Sequence, residues 1–315
     1  MSDDLRKQVE ENKILEIVGG SHLYGTSLPT SDKDFVGIFL PPIEYILGLK
    51  SVKEVDFSIE DKNEDGKNTA DAVDRKLYEF RKFLNLALGS NPNIIELLFA
   101  TENSTVYVDS YGEGLLALKQ HFLSKLCIPK FIGYAHSQKH RMIIRRDNFN
   151  DLNDGYKILK IITDDYTTME TVQAEFPDIF HTNNHHVKIG DLNIERGVYV
   201  KKARRIIKER LDKATNRSKL VLKYGYDTKF ASHLIRLLHE GLMLLEYREL
   251  IFPLPMSELL VDIKLGVWDI ERVIEYADEL EARMYKLAEK TKLPATPNFN
   301  TVEKFCIKTM RLWLG

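Results

Sequence analysis

A Gly19-Gly20-Ser21 turn precedes two aspartates placed one residue apart, Asp32 and Asp34. Residues i and i+2 of a strand face the same way, so these two carboxylates project together. Paired carboxylates suit a hard divalent cation, Mg²⁺ first and Mn²⁺ second. A glycine turn lets backbone approach a phosphate, and amides at a helix start hold phosphate oxygens. The combination predicts metal-dependent chemistry on a nucleoside triphosphate. Such transfer needs one ion on the triphosphate and one to activate the attacking hydroxyl. A third carboxylate on a neighbouring strand would complete the second ion's site. Asp74 is the candidate. Asp71, three residues earlier, competes for the role, but a regular strand would turn it to the opposite face.

These side chains need strands to hold them. An apolar run over 14–19 reads as a strand that enters the glycine turn, and 21–26 as a short helix or turn capped by Ser21. A second strand runs over 34–40 and stops at Pro41-Pro42. A third, of imperfect period, covers 52–59, and 60–68 reads as an exposed polar loop. A fourth strand is expected over 71–77, with Asp74 toward its end, and a helix over 78–88 closed by Gly89. Pro92 opens a short helix over 93–98. This order describes a small mixed sheet with helices on one side.

Beyond about residue 111 helical periodicity takes over, at 114–123, 130–146, 154–163, 196–214, 229–247, 256–265 and 269–290. The reading is therefore an α/β (α+β) chain. A mixed-sheet catalytic domain spans 1–110, and a mostly helical domain spans 111–315 with a polar loop or insertion near 164–195.

The bulk composition is that of an ordinary globular protein, 43% hydrophobic and 29% charged. A net charge of −2 argues against a surface coated in basic residues, though not against a local patch. Cys127 and Cys306 lie far apart and suit a reducing compartment better than a disulfide. The charged N-terminus lacks the apolar core of a signal peptide, and no segment is apolar for the length of a bilayer span. A cytoplasmic protein with no membrane partner is expected. No GxxxxGK[ST] loop is present, and His136 and His140 lack the glutamate of HExxH.

The string GGSHLYGTSLPTSDKDFVGIF resembles the signature of the DNA polymerase β nucleotidyltransferase superfamily, in the bacterial and phage branch associated with RNA ligases. The likeness continues through PPIEYILGL, DRKLYEFRKFLNLALGSNPNIIELLF, FIGYAHSQKHR and YGYDTKFASHLIRLLHEGLMLLEYREL, and so covers most of the chain. It implies a polymerase-β-like catalytic domain. Gly19, Gly20 and Ser21 would bind the triphosphate, Asp32 and Asp34 the metals, and Asp74 would take the third-carboxylate role.

In the last of those strings Lys229, His233 and Arg236 fall at i, i+4 and i+7 of a helix and share one face. Spacing alone leaves open a phosphate-binding face and a solvated basic edge. The resemblance favours phosphate binding. Two further basic clusters could track a nucleic-acid backbone or be solvated faces balanced by acids elsewhere. One is Lys201, Lys202, Arg204, Arg205, Lys208, Arg210, Lys213, Arg217 and Lys219; the other is Arg141, Arg145 and Arg146 beside Lys139 and His140. His181, His185 and His186 read as a solvated loop rather than a zinc site.

The expected reaction moves a nucleoside monophosphate from an NTP, ATP foremost, to an acceptor hydroxyl with Mg²⁺ and release of pyrophosphate. RNA, at a 3′ end or in tRNA, is the first acceptor. A protein hydroxyl, as in nucleotidylylating toxins or antitoxins, is the second. A non-catalytic nucleotide- or RNA-binding module of the same fold is the alternative from another class.

Overall fold

A computed structural model describes residues 2–62, 69–212 and 216–315, with backbone alone for 216–219. Most of the polar segment expected over 60–68 lies outside the described residues, as do Lys213 and the side chains of Arg217 and Lys219. The protein has a mixed α/β architecture, and its chain divides into two compact units. The first comprises residues 1–136, 234–262 and 275–315, the second 137–233 and 263–274.

The first unit is built on five strands: β1 (Lys13–Val18), β2 (Lys33–Phe39), β3 (Glu54–Asp56), β4 (Val73–Glu79) and β5 (Thr105–Val108). Their order is β3-β4-β2-β1-β5. Only β2 and β4 run parallel; the other neighbours are antiparallel. β1 is an interior strand, between β2 and β5, and its apolar side chains fill both faces: Ile14, Leu15 and Ile17 are all buried. The helix Phe80–Leu88 follows β4 directly, buries Phe80, Phe83, Leu84 and Ala87, and is capped by the Glu79 carboxylate on the Lys82 amide. The C-terminal helix Phe299–Leu314, which periodicity did not single out, packs Phe305 edge-on to Phe80 and donates from Trp313 Nε1 to the Pro41 carbonyl at 2.9 Å.

Two strand boundaries that bear on the site differ from the sequence reading. The strand expected over 71–77 runs from Val73 to Glu79, because Leu77 and Tyr78 pair with Val55 and Glu54 of β3. That shift moves Asp74 from the end of its strand to the start. The strand expected over 52–59 shortens to Glu54–Asp56, with one further bridge from Ile59 to Val73.

In the second unit the helices expected over 130–146 and 154–163 merge into one, Cys127–Ile161, whose residues from 137 onward belong here. Gly155 falls inside it because a Cβ there would sit 2.0 Å from Ile189 Cδ1. The segment read as a polar loop holds an antiparallel meander: β6 (His181–Asn183), β7 (His186–Ile189) and β8 (Leu192–Glu195). Asn184 takes φ +50 in the tight turn between β6 and β7. Val187, Ile189 and Ile194 face a core shared with Leu159, Val172 and Phe180. Among the described residues no helix is long and apolar enough to cross a membrane. Cys127 and Cys306 are free thiols.

Candidate active site

The site is assembled where β1 leaves the sheet. The Gly19 amide donates to the Asp34 carbonyl at 2.8 Å, which ties the end of β1 to the start of β2. Gly20 then takes φ +55 and opens the helix Gly20–Tyr24, which Gly25 ends in the left-handed region at φ +73. Gly20 is required twice over. Its φ favours glycine, and a Cβ there would lie 1.9 Å from Asp34 Oδ2. The bare Cα is what lets the Asp34 carboxylate lie against the turn.

The parallel register then brings the acids together. Asp34 pairs with Asp74, so the two side chains leave adjacent strands on the same face. Asp32 lies just ahead of β2, two residues before Asp34. Burial pushes the Asp34 carboxyl up to about 6, with the charges of Asp32 and Asp74 adding to the effect; His22 and the Ser21 amide, which donates to this carboxylate, oppose it. Asp71 falls in the turn before β4, whereas Asp74 lies on the strand in register with Asp34. Asp74 is exposed, and its Oδ1 accepts from Ser58 Oγ at 3.1 Å. Among the described residues no three His, Cys, Asp or Glu side chains are already grouped closely enough to form a metal cage. The three aspartates are nonetheless within electrostatic reach, and their chemistry fits a hard cation: burial and like charges on one face disfavour the ionised Asp34 carboxylate, a penalty that a divalent ion would relieve.

Lys229 and His233 are exposed residues of the second unit. Arg236 belongs to the first unit and is 5% exposed.

Residues 3–305 match the RNA repair pathway DNA polymerase beta family, RlaP. The chain belongs to that family. It is also similar to an uncharacterized 38.9 kDa protein from the nrdC-mobD intergenic region of Enterobacteria phage T4. The two are 28% identical over 294 residues, covering 83% of this chain and 85% of that protein. No solved structure matches significantly. RlaP membership points to a nucleotidyl-transfer role in RNA repair.

In this RlaP chain Arg236 does something other than the expected phosphate contact. Its Nη1 bonds Glu96 and also Glu240, the latter at 2.8 and 3.0 Å. Its guanidinium lies 4.3 Å from the Tyr24 ring centre, and Tyr24 Oη donates to Glu96 at 2.6 Å. Burial works against the Arg236 charge, but Glu240 and Glu96 outweigh it and hold the guanidinium protonated. Burial likewise raises the Glu240 carboxyl well above the usual range, and Arg236 offsets only part of that. Because Tyr24 ends the helix that starts at Gly20, the network braces the glycine turn from behind. Sequence carried a signal for it. Glu96 sits alone in Ile94-Ile95-Glu96-Leu97-Leu98-Phe99, and Arg236 and Glu240 interrupt another apolar run. Lone charges in apolar surroundings are paired when buried. His22 and Ser58 carried no comparable signal.

Proposed function

We propose that the protein transfers a nucleoside monophosphate from an NTP, ATP foremost, to an RNA hydroxyl and releases pyrophosphate, with Mg²⁺ as cofactor. The observation that carries this reading is the Asp34 carboxyl, pushed up to about 6 while seated on the Gly20–Ser21 turn and facing Asp32 and Asp74. Such a crowded acidic face is costly unless a cation occupies it. Asp32 and Asp34 hold the cations, and Asp74 holds the one beside the acceptor. A divalent ion bound there supplies neutralisation of phosphate charge and a lowered pKa for an attacking hydroxyl. The Gly19–Gly20–Ser21 turn, with the Ser21 hydroxyl, orients the phosphate tail. The acceptor oxygen bonds the α-phosphorus as the α–β bridging bond breaks, and the hydroxyl proton passes to solvent. Lys229 and His233 remain candidate phosphate contacts, read out by the KM for NTP in Lys229→Ala. The family description favours RNA over a protein hydroxyl as acceptor.

The test offers each labelled NTP with Mg²⁺ to separated cell RNA and cell protein. Label should enter RNA, and the Asp32→Ala/Asp34→Ala double variant should abolish it. Label entering protein alone, or undiminished transfer by the double variant, refutes the proposal.

A further inference from the structure

The overall charge of −2 conceals a division. The second unit carries 21 Lys and Arg against 15 Asp and Glu, a net of +6, while the rest of the chain carries 24 against 32, a net of −8. The second unit also contains a cleft of about 510 Å³. That is the size range of pockets that hold small organic groups. One wall is a face of the helix Cys127–Ile161, where Arg141, Ile144, Arg145 and Asn148 follow one another at helical spacing. Arg210 and Asp191 also line it and pair with each other at 2.5 Å. Arg145 is also committed: it bonds Asp227 at 3.3 Å and lies 5.2 Å from the centre of the Phe230 ring. Arg141 differs. It is exposed and makes no hydrogen bond or ion pair with any described residue. Beside it Ile144 is 43% exposed, an apolar side chain left in water at the mouth of a cationic cleft, and Phe149 and Leu152 form a buried apolar floor.

The geometry points to this cleft as a binding site for single-stranded RNA, with a phosphate on Arg141 and the adjoining sugar and base against Ile144. A cation with no partner among the described residues, beside apolar surface, in a concave site, suits a nucleotide unit better than either a free anion or a fatty chain. The positive unit around it supplies the long-range attraction that a polyanion needs. The choice of RNA as the polymer rests on the function proposed above; the site itself rests on the cleft.

The test uses the full chain in EDTA without NTP, so it does not depend on transfer activity. The probe is a short single-stranded RNA carrying a 3′ fluorophore, with either a 5′-phosphate or a 5′-hydroxyl, and the readout is anisotropy across a salt series. Arg141→Ala should weaken binding by about 5- to 10-fold and lower the salt slope by about one. Arg141→Lys should stay within about 2-fold of the wild type, and Ile144→Glu should bind more weakly than Arg141→Ala. Lys157→Ala removes an exposed cation from the same helix outside the cleft and should leave affinity unchanged. A preference for the 5′-phosphate probe assigns Arg141 to a terminal phosphate, and equal affinities assign it to the backbone. The proposal is overturned if the RNA does not bind, if Arg141→Ala binds like the wild type, or if Lys157→Ala loses as much as Arg141→Ala. Displacement of the RNA by equimolar ATP would overturn it too, because the cleft would then be a mononucleotide site.

Discussion

Replacing Asp34 with Asn should stabilise the metal-free protein at neutral pH. The Asp34 carboxyl moves from 3.8 to about 6 on folding. Two pKa units correspond to about 3 kcal/mol at full strength. The group keeps some contact with water, so screening reduces this to roughly 1–2 kcal/mol. The sign follows from proton binding. The native state binds this proton more tightly than the unfolded chain does. Native stability therefore falls as pH rises from about 4 through 6, and the loss is complete above that. Asn carries no charge and keeps an oxygen for the Ser21 amide, so it escapes the loss. In EDTA at pH 7.5 the Asp34→Asn protein should melt about 3–6 °C above the wild type. At pH 4 the two should melt together. Thermal melts followed by circular dichroism at the two pH values decide it. A variant that melts lower at pH 7.5, or a difference that does not change with pH, would show that Asp34 is not crowded by its neighbours, and the case for a cation there would fall.

Adding Mg²⁺ at pH 7.5 should raise the wild-type melting temperature and leave Asp34→Asn nearly unmoved, since a ligand stabilises only the state that binds it. Gly20→Ala should drive the Asp34 carboxylate off the turn and impose about 1–2 kcal/mol of left-handed backbone strain; labelled-NTP transfer should fall to the level of Asp34→Ala, and full activity would contradict the geometry. Arg236→Met removes the cation of a buried set and should cost about 3–5 kcal/mol in urea melts. Glu240→Gln keeps an acceptor oxygen for Arg236 and should cost less than Arg236→Met in the same melts, because burial already disfavours the charge on that carboxyl.

The aspartates were legible because strand periodicity is local: i and i+2 place Asp32 and Asp34 together without knowledge of the fold. Asp74 was harder. Its role depends on which residue of β2 it meets, and a parallel pairing across the intervening 40–72 segment leaves no local trace. Arg236 misled for a related reason. Helical spacing put it on a face with Lys229 and His233, yet Glu96, far away in sequence, turns that position into a buried ion pair. The meander over His181–Glu195 hid behind its polar composition, although Val187, Ile189 and Ile194 alternate with polar residues as a half-buried strand requires. The long helix Cys127–Ile161 was divided by its polar middle and by Gly155, whose reason lies in packing against Ile189.

An acidic cluster that depends on strand register needs something to hold the register, because slipping β4 by one residue would send Asp74 to the other face. The neighbour of Asp74 provides it. Arg75 projects to the opposite side of the sheet, where its guanidinium is bound by Glu10 of the N-terminal helix Asp3–Glu11 and by Glu16 of β1. Lys13 closes the group on Glu16. Burial alone would raise the Glu16 carboxyl, but hydrogen bonds from Arg75 and Lys13 overcome it and hold it ionised below its usual range. Leu77, two residues further along β4, is buried against Val9, Phe39 and Val55 on the same side. The like charges on one face push Asp34 and Asp74 apart, while opposite charges and apolar packing on the other face keep their strands aligned. Moving β4 by one residue would break the Arg75 pairs and expose Leu77 together, so the repulsion among the aspartates is expressed in the Asp34 proton rather than in the sheet.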